Sequence, residues 1–171
     1  VRVYSVTVLL CALAVFFISA AGYSQLDIED KDKAGLFPVS REGKWGFMDR
    51  TGRMVIEPQF EAAFPFTEGF SRIQLKGKWG YMNRQGAIVI TPQFDGADRF
   101  SDGLAEVAVK GKRGYIDKTG NTVIPARFDD AAPFSEGLAG IKLKGKWGFI
   151  DRTGKIVIEP QYIEISRFSD G

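Results

Sequence analysis

Histidine is absent from the chain, and the single cysteine, Cys11, lies inside an N-terminal apolar run. The remainder has neither imidazole nor thiol, which removes the usual general base, the usual nucleophile and most zinc sites together. What is left to do chemistry is a set of carboxylates and aromatic rings at regular spacing. Acids recur as Glu68, Asp102, Glu136 and Asp170, and again as Glu61, Asp95 and Asp129. Two carboxylates about 5 to 9 Å apart can cleave a glycoside, but one acid before each glycine is better explained by a side chain capping its own local turn. Asp129 and Asp130 offer oxygen ligands to calcium, yet no run alternates ligands as a calcium loop does. No catalytic, metal or cofactor-binding residue is assigned, no cofactor is expected, and the chain reads as a non-enzyme.

A second set of residues suits binding. Trp45, Trp79 and Trp147 hold the same place in GKWGFMDRTG, GKWGYMNRQG and GKWGFIDRTG, while a further copy, GKRGYIDKTG, has Arg113 there. Each tryptophan lies two residues from Phe47, Tyr81 or Phe149, hence on one face of a strand. Packing between neighbouring units is the leading reading, because aromatics supply most of the core energy open to so small a unit. The rival reading is a row of rings that stacks on sugars or on a partner's side chains. Arg113 bears on the choice, because an unpaired guanidinium cannot be fully enclosed. The position is therefore expected at a rim, with Arg113 stacked on a neighbouring ring. Trp45, Trp79, Arg113 and Trp147 are the candidate ligand-facing residues.

The elements that position these residues follow from the period. The four copies begin at Gly43, Gly77, Gly111 and Gly145, a constant spacing of 34, which means stacked or radially arranged units. Glycine is too frequent, and no apolar position recurs at helical spacing, so helical repeats are excluded. Within one unit LAEVAVK, KRGYID and NTVI read as strands, the first with one more polar face. Lys110 to Lys112 form a glycine-bearing reversal, and Asp117 to Gly120 fit a type I turn leading into a glycine of positive φ. Pro125, lacking an N–H, is expected to stop the third strand. The phenylalanines that recur in step, among them Phe66, Phe100, Phe134 and Phe168, are expected to seal the core between units. The expected fold is all-β: a tandem array of four 34-residue three-stranded antiparallel meanders in an open solenoid or superhelix, with a partial β-propeller-like ring as the alternative. The units are residues 35–68, 69–102, 103–136 and 137–170. Their first strand, GLFPVSRE, is degenerate, and its Pro38 suits an exposed edge.

Ahead of the array, Arg2 is followed by nineteen uncharged residues, Val3 to Ala21. Residues 1–21 read as a signal peptide with small residues at Ser19 and Ala21, the rival being an uncleaved membrane anchor. Residues 22–34 form a charged linker and 35–171 the repeat domain. Either reading places the repeats outside the cytoplasm, secreted, periplasmic or at the cell surface. The opening valine suggests an alternative start codon of a bacterial gene, and the chain stops at SDG, where a fifth first strand is due. The 23 basic and 21 acidic residues are interleaved, so no basic block tracks a phosphate backbone and nucleic acid is not an expected partner.

The segments GKWGFMDRTGRMVIEPQF, GKWGYMNRQGAIVITPQF and GKWGFIDRTGKIVIEPQY, each followed by F-[ST]-[ED]-G, resemble the WG-repeat (KWG-repeat) family. The third unit departs from the pattern at Arg113 and Pro125. The resemblance implies extracytoplasmic or otherwise repeat-built binding proteins without established catalytic residues. The expected function is non-catalytic binding of a protein or cell-envelope partner. A carbohydrate or peptidoglycan module using the tryptophan row, and a structural spacer, are the alternatives; a membrane is a partner only if the N-terminal segment stays uncleaved.

Overall fold

The computed structural model describes residues 35–166. The signal or anchor segment 1–21, the linker 22–34, Phe168 and Asp170 lie outside the described residues. All regular structure among the described residues is antiparallel β-sheet. The first sheet holds β1 (Phe37–Arg41), β2 (Lys44–Met48) and β3 (Met54–Phe60). The second holds β4 (Ala62–Ala63), β5 (Phe70–Leu75), β6 (Lys78–Asn83) and β7 (Ile88–Phe94). The third holds β8 (Gly96–Ser101), β9 (Leu104–Val109), β10 (Lys112–Asp117) and β11 (Thr122–Phe128). The fourth holds β12 (Asp130–Ala131), β13 (Leu138–Leu143), β14 (Lys146–Asp151) and β15 (Ile156–Tyr162). Extensive contacts join each sheet only to the next, which makes an open solenoid rather than a closed barrel.

Two features correct the sequence reading. Each crossover adds a short outer strand, β4, β8 or β12, to the following sheet, so three of the sheets have four strands instead of three. The outer edge of β5, β9 or β13 would otherwise carry unpaired backbone groups. Nor does Pro125 end its strand: β11 runs on to Phe128, which pairs with Arg113. Opposite Gly80 the register jumps from Ile90 to Phe94, so Thr91, Pro92 and Gln93 form a bulge. Residues in a bulge leave the ladder, and a proline there forfeits no hydrogen bond. The bulge explains the glycine after each tryptophan. A Cβ on Gly80 would meet the Ile90 carbonyl oxygen and lie 2.6 Å from the Pro92 nitrogen.

Turn chemistry fixes the hairpins. Lys76 and Gly77 both have positive φ, 51° and 72°, as a type I′ reversal demands. Their N–H groups point one way and make a small anion nest, which the Glu61 carboxylate fills at 3.0 and 2.8 Å. Asp95 takes the Lys110 N–H in the next unit (2.7 Å). The second reversal matches expectation: Asp117 accepts from the Thr119 and Asn121 N–H groups, and Gly120 has φ 88°.

Glu68 and Asp102 do not cap their own turns as expected. Glu68 accepts from the Gly103 N–H (3.1 Å) and Asp102 from that of Gly137 (2.8 Å), each one unit further on. Their own φ values, 50° and 52°, lie in the left-handed region.

The core lies between sheets. Phe47, Ile56 and Phe60 of the first sheet cluster with Ala63, Ile73 and Met82 of the second; Tyr81, Ile90 and Phe94 cluster with Phe100, Val107 and Ile116; Tyr115, Ile124 and Phe128 with Phe134, Ile141 and Ile150. Rings meet at each step, Phe47 with Phe66 at 5.1 Å, Tyr81 with Phe100 and Tyr115 with Phe134 at 4.8 Å. The hydroxyl of Tyr81 donates to the Asp98 carbonyl (2.7 Å) and that of Tyr115 to the Ala132 carbonyl (2.8 Å). Gly80→Ala is expected to lower stability by about 3 kcal/mol, because the clash is with backbone that cannot rotate away, whereas Tyr81→Phe should cost about 1 kcal/mol. Urea denaturation followed by circular dichroism checks both; equal midpoints for the two variants would refute the role given to the bulge.

Candidate functional site

The four candidate residues stand next to the first reversal of each hairpin, on β2, β6, β10 and β14, and all four are half-buried. Trp45 packs with Phe66 and Leu75 against the first core cluster, and Trp79 with Phe70 and Ala97 against the next. Trp79 is covered on its outer side as well. The Phe64 ring lies 5.8 Å from it, and the Arg72 guanidinium sits 3.9 Å above Phe64 and 5.9 Å from Trp79. Trp147 has the Lys142 ammonium 5.8 Å from its ring.

Arg113 does not stack on a ring. Its Nη1 lies 3.0 Å from the Glu106 carboxylate, whose side chain is only 8% exposed, and its Nε lies 3.8 Å from Asp130 at the start of β12. The reason is local. Strand β9 is buried on both faces, against the expectation of one more polar face: Ala105 and Val107 pack with Tyr81, Ile90 and Phe94 of the preceding sheet, and Arg113 lies over the other face beside Gly96. A carboxylate so enclosed needs a cation within reach, and Arg113 is its diagonal neighbour across the β9–β10 pair. Glu106 was missed from sequence, although a signal exists: at the unit spacing Arg72, Glu106 and Gly140 are equivalent, as are Trp79, Arg113 and Trp147. Both positions change in the same unit.

The charges continue from sheet to sheet. Arg72 of β5 donates to the Ala97 carbonyl (3.0 Å) and to Asp98 (2.8 Å) in the third sheet, and its buried Nε has no hydrogen-bond partner among the described residues. A cleft of about 190 Å³ opens beside it, lined by Phe64, Pro65, Thr67, Arg72, Asp98 and Arg99. A second, of about 90 Å³, lies one unit on, where Arg99 faces Ala132, Pro133 and Ser135. Both are small against the roughly 300 to 1,000 Å³ of small-molecule pockets. The acids that sequence offered to calcium are bound to cations instead: Asp129 holds the Lys112 ammonium at 2.7 Å, and Asp130 faces Arg113.

Burial pushes the Glu106 carboxyl up to about 7, against the pull of Arg113 and helped by the nearby Asp98 and Asp130. An unfolded glutamate ionises near 4.5, so between about pH 4.5 and 7 the folded state holds the extra proton. Stability contributed by this residue therefore falls as pH rises through that window and is level above it. Asp49 behaves oppositely. The Thr51 hydroxyl bond holds it at about 2, and the stability it adds is lost as pH falls below about 4 toward 2. Glu106→Gln should flatten the decline between pH 4.5 and 7 while leaving the acid limb in place; denaturation midpoints measured across pH 2 to 8 decide, and an unchanged profile would show that Glu106 does not titrate there.

Four successive stretches, residues 45–79, 79–112, 114–147 and 147–171, match the WG containing repeat. No curated protein matches the chain. Among solved structures, that of a plant lectin with two metal binding sites from Cicer arietinum aligns over 80% of this chain and 88% of its own, at 11% identity and a TM-score of 0.33. A likeness at that level carries no argument about fold or ligand. The fourfold match spans most of the chain in step with its sheets, and the protein belongs to the WG-repeat family.

Proposed function

We propose that this chain is a non-catalytic binding protein that works outside the cytoplasm and meets a protein or cell-envelope partner on the face carrying the inter-unit clefts. One observation carries the reading: units that share their core pattern do not share the residues that line the clefts between them. Positions inside the core keep their type from unit to unit, as Ile56, Ile90, Ile124 and Ile158 do. The cleft positions diverge, with Phe64, Asp98 and Ala132 equivalent, Pro65, Arg99 and Pro133 equivalent, and Arg72, Glu106 and Gly140 equivalent. A spacer has no need to individualise one face of otherwise matched units. Exposed arginine beside an aromatic ring is the composition of strong contact points in protein interfaces, and shallow clefts in series suit an extended partner surface better than an enclosed small molecule. The location outside the cytoplasm rests on the N-terminal apolar segment.

The carbohydrate reading keeps one supporting observation, the half-exposure of Trp45, Trp79 and Trp147, although Phe64 and Arg72 crowd the Trp79 ring. A photo-crosslinking residue at Arg99, compared with one at the exposed Val123, tests both readings in intact envelopes. Adducts formed from position 99 and degraded by protease support the protein partner, protease-resistant adducts degraded by glycosidases support a glycan at the clefts, and the absence of adducts from position 99 would sink a partner on this face.

A further inference from the structure

The charges that alternate along the sequence are sorted by the fold. Each Lys-Gly reversal stands at the same edge of its sheet, and consecutive reversals are neighbours. Asp95 binds the Lys78 ammonium of one reversal at 2.6 Å and the Lys110 N–H of the next at 2.7 Å. Asp129 does the same between Lys112 and the N–H groups of Lys144 and Gly145. Lys76, Lys78, Lys110, Lys112, Lys144 and Lys146 are therefore in file along one edge, all exposed. The carboxylates at this edge are drawn in beneath the reversals, where backbone N–H groups hold them. Lys76, Lys110 and Lys144 have no ion pair among the described residues.

A second observation is independent of charge. Lys76, Lys110 and Lys144 each hold φ at 51°, the first central position of a type I′ reversal, where asparagine or glycine fits and lysine is strained. The equivalent position of the first unit holds Glu42 at φ 52°, so the backbone accepts either sign of charge there, and the run of lysines begins with the second unit.

We propose that this lysine edge binds a linear acidic polysaccharide, one reversal to each step of the stack. Packed sheets are about 10 Å apart, so from the second unit on the edge offers at least one ammonium group without an ion pair among the described residues, Lys76, Lys110 or Lys144, at each such step along a line. Single file suits a polymer chain better than the plane of a membrane. Its density is far below the one charge per about 1.7 Å of duplex nucleic acid. This edge adjoins the cleft face but does not include Arg99, so its test is separate from that of the protein partner.

The test is the full chain against its K76N/K110N/K144N variant, in which each asparagine suits the reversal's backbone and the fold should be kept with an equal or higher melting temperature. Both are titrated with polygalacturonate, and with dextran, polyglutamate and phosphatidylglycerol vesicles as comparisons, at low and high salt. The expected result is binding of polygalacturonate that weakens as salt rises and falls at least about tenfold in the variant, with no binding of dextran. No binding of polygalacturonate, or equal binding by the folded variant, would overturn the proposal. Equal or tighter binding of polyglutamate or of the vesicles would also overturn it, assigning the edge to an acidic peptide or to a lipid surface.

Discussion

One aromatic ring per unit, held between consecutive sheets, is the contact on which the rest of the structure depends. No sheet of three or four short strands can bury both of its faces alone, and here the ring of each sheet is closed off by the phenylalanine of the crossover that leads to the next. Phe47, Tyr81 and Tyr115 are fully buried in this way. The last sheet supplies the control. Phe149 and Ile158 occupy equivalent places but are only half-buried. Tyr162, in register with the buried Phe60, Phe94 and Phe128, is 45% exposed. The residue types and strand pairing are the same; what differs is the absence, among the described residues, of a following sheet. Burial in this array belongs to the pair of units rather than to the unit, which is the defining energetic property of a solenoid.

That division of labour explains what may vary and what does not. The bulge, the glycine beneath it and the two reversals set the distance and angle at which the next sheet arrives, and they recur in every unit. Outside this frame a residue has only its immediate neighbours to satisfy. Arg72 with Phe64 and Trp79, and Glu106 with Arg113, are two solutions to filling the same space. One stacks a cation on rings; the other buries a carboxylate and brings its counter-ion. The second needs Gly96 and Ala108 to stay small, since a Cβ on Gly96 would lie 3.2 Å from that of Ala108 and 3.3 Å from the Arg113 guanidinium.

Most of the fold was legible because the signals were local. The period, the strands and the chemistry of both reversals rest on residues within a few positions of each other. The errors came from partners brought together by the sheets rather than by the chain. Pro125 looks like a terminator until a bulge is allowed for, and the bulge exists only because Gly114 lets the backbone cross it. The crossover looks like a loop until the edge of the next hairpin claims part of it as a strand. Glu68 and Asp102 look like local caps, yet their acceptors' donors lie 35 residues on. At the candidate site Arg113 was visible as an exception to the pattern. Its partner was not, because Glu106 reads as the polar member of an alternating strand until both faces of β9 are known to be covered.

Repetition also changes what a single residue choice can accomplish. A lysine in a surface turn is ordinarily a solvated charge with no consequence beyond solubility. When the same turn recurs every 34 residues and the units stack in register, the choice is copied along an edge, and a chain with a net charge of only +2 acquires a cationic line. The carboxylates do not cancel it. Their position at the start of each crossover puts them under the reversal, where backbone N–H groups hold them; Asp95 and Asp129 also pair with Lys78 and Lys112, while Lys76, Lys110 and Lys144 keep no ion pair among the described residues. The charge pattern of the surface is thus set by which member of each turn faces inward, a property of backbone geometry that composition and net charge do not contain.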